Sequence, residues 1–256
     1  MTSGPFGMPA QKLGEMMKLL QESDDVELEL TVPETSQRSA ITALDLDPLD
    51  AQIRQVFFLD TPDLELDKAG VVARARRVQG RPDDTVIKLR PVVPAELPPE
   101  LRAHPEFVVE LDAMPGGFVC SGSLKGNPKR ATVRDAAAGR EPVHHLFTKA
   151  QREFFAEHAP EGMQLDDLRF LGPIHVFKLK FEPPELPRRL VAELWSYPDG
   201  SRVLELSTKC STTEPFDVAA ETGSYLVGKG IEVRPADQQT KTRTALEFFS
   251  SELRRA

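Results

Sequence analysis

Apolar positions along this chain switch between two spacings, and each switch marks an element. Residues Gln11–Glu22 carry Leu13, Met16, Met17, Leu19 and Leu20 at helical spacing, which predicts a short amphipathic helix. The run Val26–Val32 then alternates residue by residue until Pro33 stops it, which predicts a strand. Further alternating or apolar runs cover Arg54–Leu59, Val71–Val78, Thr85–Pro91, Glu106–Asp112, Ile174–Glu182, Arg189–Trp195 and Arg202–Cys210. Turn residues at Thr61-Pro62-Asp63, Gln79–Asp84 and Pro198-Asp199-Gly200 separate several of them. Helical spacing returns at Val143–His158, Glu214–Val227 and Gln238–Leu253. The proline-rich stretch Pro91–Pro105 reads as a loop between neighbouring strands, Gly116-Gly117 as a turn and Gly122–Gly126 as a flexible loop. Eight strands without a regular β–helix–β rhythm predict an α+β fold, with an antiparallel sheet or barrel decorated by helices.

The residues that alternate with the apolar ones carry the chemistry. Glu27, Glu29 and Thr31 share one face of the first strand, while Leu28 and Leu30 share the other. Arg74 and Arg76 lie two apart, as do Lys88 and Arg90, Glu110 and Asp112, and Lys178 and Lys180. The last strand sets Glu205, Ser207 and Lys209 against Leu204 and Leu206. A half-exposed antiparallel sheet also alternates apolar with charged residues. Here, however, the polar positions are nearly all Glu, Arg and Lys, and their signs segregate by strand. With these faces turned inward, a barrel encloses a polar tunnel. Its basic side suits a chain of phosphates, and its paired carboxylates suit a hard divalent cation, Mg2+ or Mn2+. Burying so much charge without ions or water would be very costly.

Composition narrows the function classes. The chain has 256 residues, with 32 Lys plus Arg against 40 Asp plus Glu and a net charge of −8, so it does not coat nucleic acid by bulk charge. A local basic cleft remains compatible with that balance. No apolar run approaches the roughly 18 residues needed to span a bilayer, so no membrane partner is expected. The opening Met1–Gly7 lacks the basic-then-apolar pattern of a signal peptide, and Cys120 and Cys210 lack metal-ligand spacing. Two reduced thiols and a cytoplasmic location are the expectation. Residues 1–24 read as a tail plus the short helix, with the first nine residues loose, and residues 25–256 as one domain that includes the C-terminal helices.

These segments resemble the CYTH family, also called triphosphate tunnel metalloenzymes. Its N-terminal Glu-x-Glu-x-Lys strand is resembled by Glu27-Leu28-Glu29-Leu30-Thr31. Its Phe/Tyr-Asp-Thr-Pro segment, Ala-Gly and Arg-x-Arg strand are resembled by Phe58–Pro62, Lys68-Ala69-Gly70 and Arg74-Ala75-Arg76. Lys88-Leu89-Arg90, Glu110-Leu111-Asp112, Asp199-Gly200, Glu205-Leu206-Ser207 and Lys209 match later motifs, so the likeness spans roughly residues 25–210. It implies an eight-stranded antiparallel β-barrel whose tunnel binds triphosphate groups with a divalent metal. Members include inorganic and thiamine triphosphatases, class IV adenylyl cyclases and RNA triphosphatases. Two positions depart from the pattern: Thr31 replaces a lysine, and Ser207 replaces a glutamate, for which Glu193 is a candidate substitute.

The resulting expectation is a metal-dependent phosphohydrolase acting on a tri- or diphosphate compound: inorganic triphosphate, a nucleotide or an organic polyphosphate. Glu27 and Glu29 are the candidate catalytic residues. They are also candidate metal ligands, with Glu205, Glu110 and Asp112. Arg74, Arg76, Lys88, Arg90, Lys178, Lys180 and Lys209 are candidate phosphate contacts, and water attacks in line. A class IV-type adenylyl cyclase and a non-catalytic polyphosphate- or nucleotide-binding module are the alternatives. The last helix, with Leu246, Phe248, Phe249 and Leu253, either closes the barrel end or packs on a second subunit, which leaves a homodimer open. His144-His145 are not expected to converge on one ion, and no Ser-His-Asp or Cys-His arrangement follows from spacing.

Overall fold

The computed structural model describes residues 10–129, 131–233 and 241–253, so the expected loose tail at 1–9 and positions 238–240 of the expected last helix lie outside the described residues. The strands are β1 (Asp25–Val32), β2 (Gln52–Asp60), β3 (Val71–Val78), β4 (Asp84–Leu89), β5 (Phe107–Met114), β6 (Gly117–Gly126), β7 (Arg169–Phe181), β8 (Leu190–Ser196) and β9 (Arg202–Cys210). They close into a barrel in the order β1-β5-β6-β4-β3-β2-β7-β8-β9. Every neighbouring pair is antiparallel except β1 and β5, which run parallel, so the barrel is mixed.

The barrel has nine strands rather than eight, and the additional one is β6. Gly122–Gly126 is therefore strand and not a flexible loop. The sequence signal was masked because glycines and serines fill positions where partners press close. A Cβ on Gly122 would lie 2.5 Å from the Phe107 ring, and one on Gly126 would collide with Gln151. Pro91–Pro105 joins β4 to β5, which are not neighbours because β6 runs between them, and it holds α4 (Pro99–Arg102). The expected helix Val143–His158 splits into a 3-10 turn at Val143–Leu146 and α6 (Lys149–His158). Thr148 and Gln151 form a reciprocal capping box that starts α6 afresh.

The apolar faces of the strands point outward and are covered by helices. α1 (Ala10–Leu20) lays Met16 and Leu20 into a core that includes Val26, Leu28, Val109 and Leu111, and α6 adds Phe154 and Phe155. On the other flank, α2 (Gln37–Ala43) and α7 (Pro215–Gly228) cover Leu30, Val32, Leu204 and Leu206 through Ala40 and Leu226. This inversion frees the interior for polar side chains. α8 (Lys241–Leu253) packs Ala245, Leu246 and Phe249 against the tunnel-lining Val56, Phe58, Val72, Val176 and Trp195, and its Thr242 borders the cavity. No helix among the described residues is long and apolar enough to cross a membrane.

Candidate functional site

The barrel encloses a cavity of about 220 Å³ whose lining includes eight cationic side chains and five carboxylates. The cations are Arg54, Arg74, Arg76, Lys88, Arg90, Lys125, Lys178 and Lys209, and the carboxylates are Glu27, Glu29, Glu110, Asp112 and Glu193. Among the described residues the lining has an excess of three positive charges, in a chain of net charge −8. Anions are therefore drawn to the inside of an otherwise acidic molecule. A larger apolar slot of about 440 Å³ lies between α7 and the outer wall of β1 and β9, but no lysine or arginine lines it among the described residues.

Two strands build the acidic wall. The parallel ladder sets Glu27 opposite Asp112, and the carboxylate oxygens of Glu27, Glu29 and Asp112 come within 4.8 Å of one another. Burial pushes the Asp112 carboxyl up to about 6; Glu29 and Glu110 add repulsion, while Lys88 and Arg90 oppose the shift. The Arg90 guanidinium lies 3.0 Å and the Lys88 ammonium 3.8 Å from Asp112 Oδ2. The Ser207 hydroxyl donates to Glu27 Oε1 at 2.9 Å. Three clustered hard-oxygen donors fit a divalent ion of the Mg2+ or Mn2+ type.

Facing them is the basic wall. Arg74 sits among cations: its Nε is inaccessible to water and finds no hydrogen-bond partner. Burial lowers its pKa to about 9; Arg76 and Arg54 add to that effect, while Asp84 and Glu193 oppose it. Arg76 is instead held by a two-pronged pair with Asp84, at 2.7 and 3.0 Å. Lys178 donates to Glu193 at 2.7 Å, and the Trp195 indole donates to the other oxygen of the same carboxylate at 3.2 Å. Glu193 thus serves as an internal counterion for Lys178, with Arg54 4.0 Å away, and is not one of the three carboxylates that cluster.

The local folding of two motifs explains how the wall is positioned. Asp60, 1% exposed, accepts backbone N–H bonds from Thr61, Leu66 and Asp67 and so ties the end of β2 to α3 (Glu65–Lys68). Gly70 adopts φ +75°, and a Cβ there would press to 3.2 Å from the Arg90 carbonyl, while the Arg90 N–H donates to Gly70. Glycine therefore lets β3 begin against Arg90 and fixes the base of that side chain.

Of the residues singled out in the sequence, Glu27, Glu29, Glu110, Asp112, Arg74, Arg76, Lys88, Arg90, Lys178 and Lys209 share the tunnel. Glu205 is 2% exposed and stands opposite Thr31 and Glu193 in the ladders, outside the carboxylate trio. Lys180 is exposed and does not line the cavity. His144 and His145 engage separate carboxylates, Asp166 and Glu141. The reading of the sequence missed Arg54 and Lys125. Arg54 precedes Val56 and Phe58 at two-residue spacing, which is the signal that places it on the inner face. Lys125 was hidden by the loop reading of β6.

No protein-family model matches the chain, and no curated protein matches its sequence. Solved structures do resemble it. A candidate adenylyl cyclase from Hippeastrum, described as having a dominant triphosphatase activity, aligns with a TM-score of 0.63 at 15% identity, covering 88% of this chain and 96% of that one. A candidate adenylate cyclase from Bacillus halodurans aligns with a TM-score of 0.59 at 13% identity, covering 87% and 97%. At such identities the likeness establishes the barrel fold.

Proposed function

We propose that this chain is a CYTH-type tunnel protein that hydrolyses a phosphoanhydride bond of a tri- or diphosphate compound with the help of Mg2+ or Mn2+. The observation that carries this reading is the meeting, in one enclosed cavity, of the Glu27–Glu29–Asp112 cluster with Arg74, whose guanidinium is buried beside two other cations. A divalent cation on the carboxylates and a polyanion on the guanidinium and ammonium groups together neutralise both walls. The motif resemblance and the triphosphatase activity described for the Hippeastrum neighbour support hydrolysis over simple binding.

In this reading Glu27, Glu29 and Asp112 hold the cation, which when bound offsets charge on the phosphoryl oxygens. Arg74, Arg76, Lys88 and Arg90 grip the phosphate chain with charge-assisted hydrogen bonds, and Lys178 and Lys209 extend the basic lining. α8 lays an apolar face, Ala245, Leu246 and Phe249, against the apolar part of the tunnel lining. The test offers inorganic triphosphate, ATP and thiamine triphosphate to the purified protein with Mg2+ or Mn2+. Phosphate release supports the proposal. Cyclic nucleotide from ATP would make the chain a cyclase, and tight binding without turnover would make it a binding module.

A further inference from the structure

We infer that Lys209 is a resident counter-cation for the acidic wall, displaced from Glu27 when a divalent cation binds and thereby turned, on its Glu110 anchor, toward the phosphate chain. The inference rests on the metal reading above and adds a regulated exchange within the same site. Lys209 stands opposite Glu27 in the β1–β9 ladder. Its ammonium pairs with Glu110 and lies 3.7 Å from Glu27 Oε2, while the Ser207 hydroxyl occupies Glu27 Oε1. Two β9 side chains therefore hold both oxygens of one member of the carboxylate trio.

Other tunnel cations paired to carboxylates are confined. Lys178, Lys88 and Arg90 have side chains 19%, 22% and 15% exposed, whereas that of Lys209 is 53% exposed. Its four-carbon stem can swing without disturbing the barrel wall. A divalent ion on Glu27, Glu29 and Asp112 would repel an ammonium at 3.7 Å from Glu27, so the two cations compete for one carboxylate. Pushed off Glu27, Lys209 keeps Glu110 as its partner at the tunnel lining and turns its remaining N–H bonds to a phosphate oxygen. The protein then binds phosphate more strongly after metal than before it, through a residue that touches no metal.

The test uses the chelator-stripped full chain and titrates Mn2+ calorimetrically with no phosphate present. Lys209→Gln and Lys209→Met should bind Mn2+ about tenfold more tightly than wild type, and Lys178→Gln, which removes an equal charge paired to Glu193, should change it by less than about threefold. Under saturating Mn2+, Lys209→Gln should weaken triphosphate binding about tenfold, and without Mn2+ it should leave that binding unchanged. Unchanged or weaker Mn2+ binding in both Lys209 variants overturns the exchange while leaving the metal site standing. An equal gain in Lys178→Gln also overturns it, because the effect is then bulk charge. If Mn2+ binds neither wild type nor any variant, the metal reading falls and takes this inference with it.

Discussion

Asp112 faces Glu27 across the parallel β1–β5 ladder, the single parallel pairing in the barrel, and that pairing brings a carboxylate of β5 to the Glu27-x-Glu29 strand. In the metal-free protein this arrangement is destabilising. The Asp112 carboxyl is raised from 3.8 to about 6 by burial, so the folded state holds a proton that the unfolded chain has already lost. Stability should therefore fall as pH rises from about 4 to about 6, by up to about 3 kcal/mol from this group. Urea unfolding of chelated protein at several pH values measures the slope. Asp112→Asn should flatten it, although it also leaves Lys88 and Arg90 without their carboxylate; a slope that persists in the variant would assign it to other groups.

Removing a carboxylate should destroy the cation site while sparing the fold. Glu27→Gln and Glu29→Gln are expected to abolish turnover of triphosphate, with Mn2+ binding lost in the calorimeter and the barrel retained by circular dichroism. Full activity in both variants would exclude the trio from catalysis.

Arg74 and Arg76 should separate, although both sit on β3 at two-residue spacing. Arg76 is neutralised by Asp84, whereas Arg74 is flanked by cations. Arg74→Ala should weaken triphosphate binding by about 1.5–3 kcal/mol and make the apo protein more resistant to urea, because a crowded buried charge is removed. Arg76→Ala should cost less binding and should lower stability by leaving Asp84 unpaired. Equal effects of the two changes on affinity would show that Asp84 releases Arg76 to the ligand.

Most of the tunnel was legible in the sequence because inward residues recur every second position and their signs are segregated by strand. The alternation of Glu27, Glu29 and of Arg74, Arg76 survives any choice of strand order, since it depends only on the pleat. Register does not share that property. Nothing in the spacing tells that β1 pairs parallel with β5, and so nothing favoured Asp112 over Glu205 as the third carboxylate. β6 was lost because its propensities are those of a loop: glycine and serine at Gly122–Gly126 answer to Phe107 and Gln151, which lie far off in the chain. Asp60 shows the same limit. The sequence marks it as part of a motif, and only the structure reveals three backbone donors around its carboxylate.

That role for Asp60 predicts a stability effect with an indirect functional one. Asp60→Ala leaves the N–H groups of Leu66 and Asp67 without their acceptor at the start of α3 and should cost about 1–3 kcal/mol by urea unfolding. Ser250 donates to the Pro62 carbonyl, so loosening this turn also loosens the seat of α8. Activity should fall less than in Glu27→Gln, because no tunnel side chain is removed. A loss of activity with no loss of stability would assign Asp60 a chemical role instead.

The last prediction concerns Thr31 and Ser207, the two positions that depart from the motif. Ser207 stands directly opposite Glu29 in the β1–β9 ladder, and Thr31 stands opposite Glu205. Ser207→Glu would add a fourth carboxylate beside the trio, and Thr31→Lys would supply a cation facing the buried Glu205, so the two changes partly balance in charge. Made together, they should raise triphosphatase turnover and strengthen Mn2+ binding; Ser207→Glu alone should destabilise the apo protein, because it adds repulsion without compensation. Steady-state phosphate release and urea unfolding on the single and double variants separate these effects. If wild type already turns over triphosphate well and the double variant matches it, a hydroxyl at position 207 holding Glu27 serves the reaction as well as a carboxylate would.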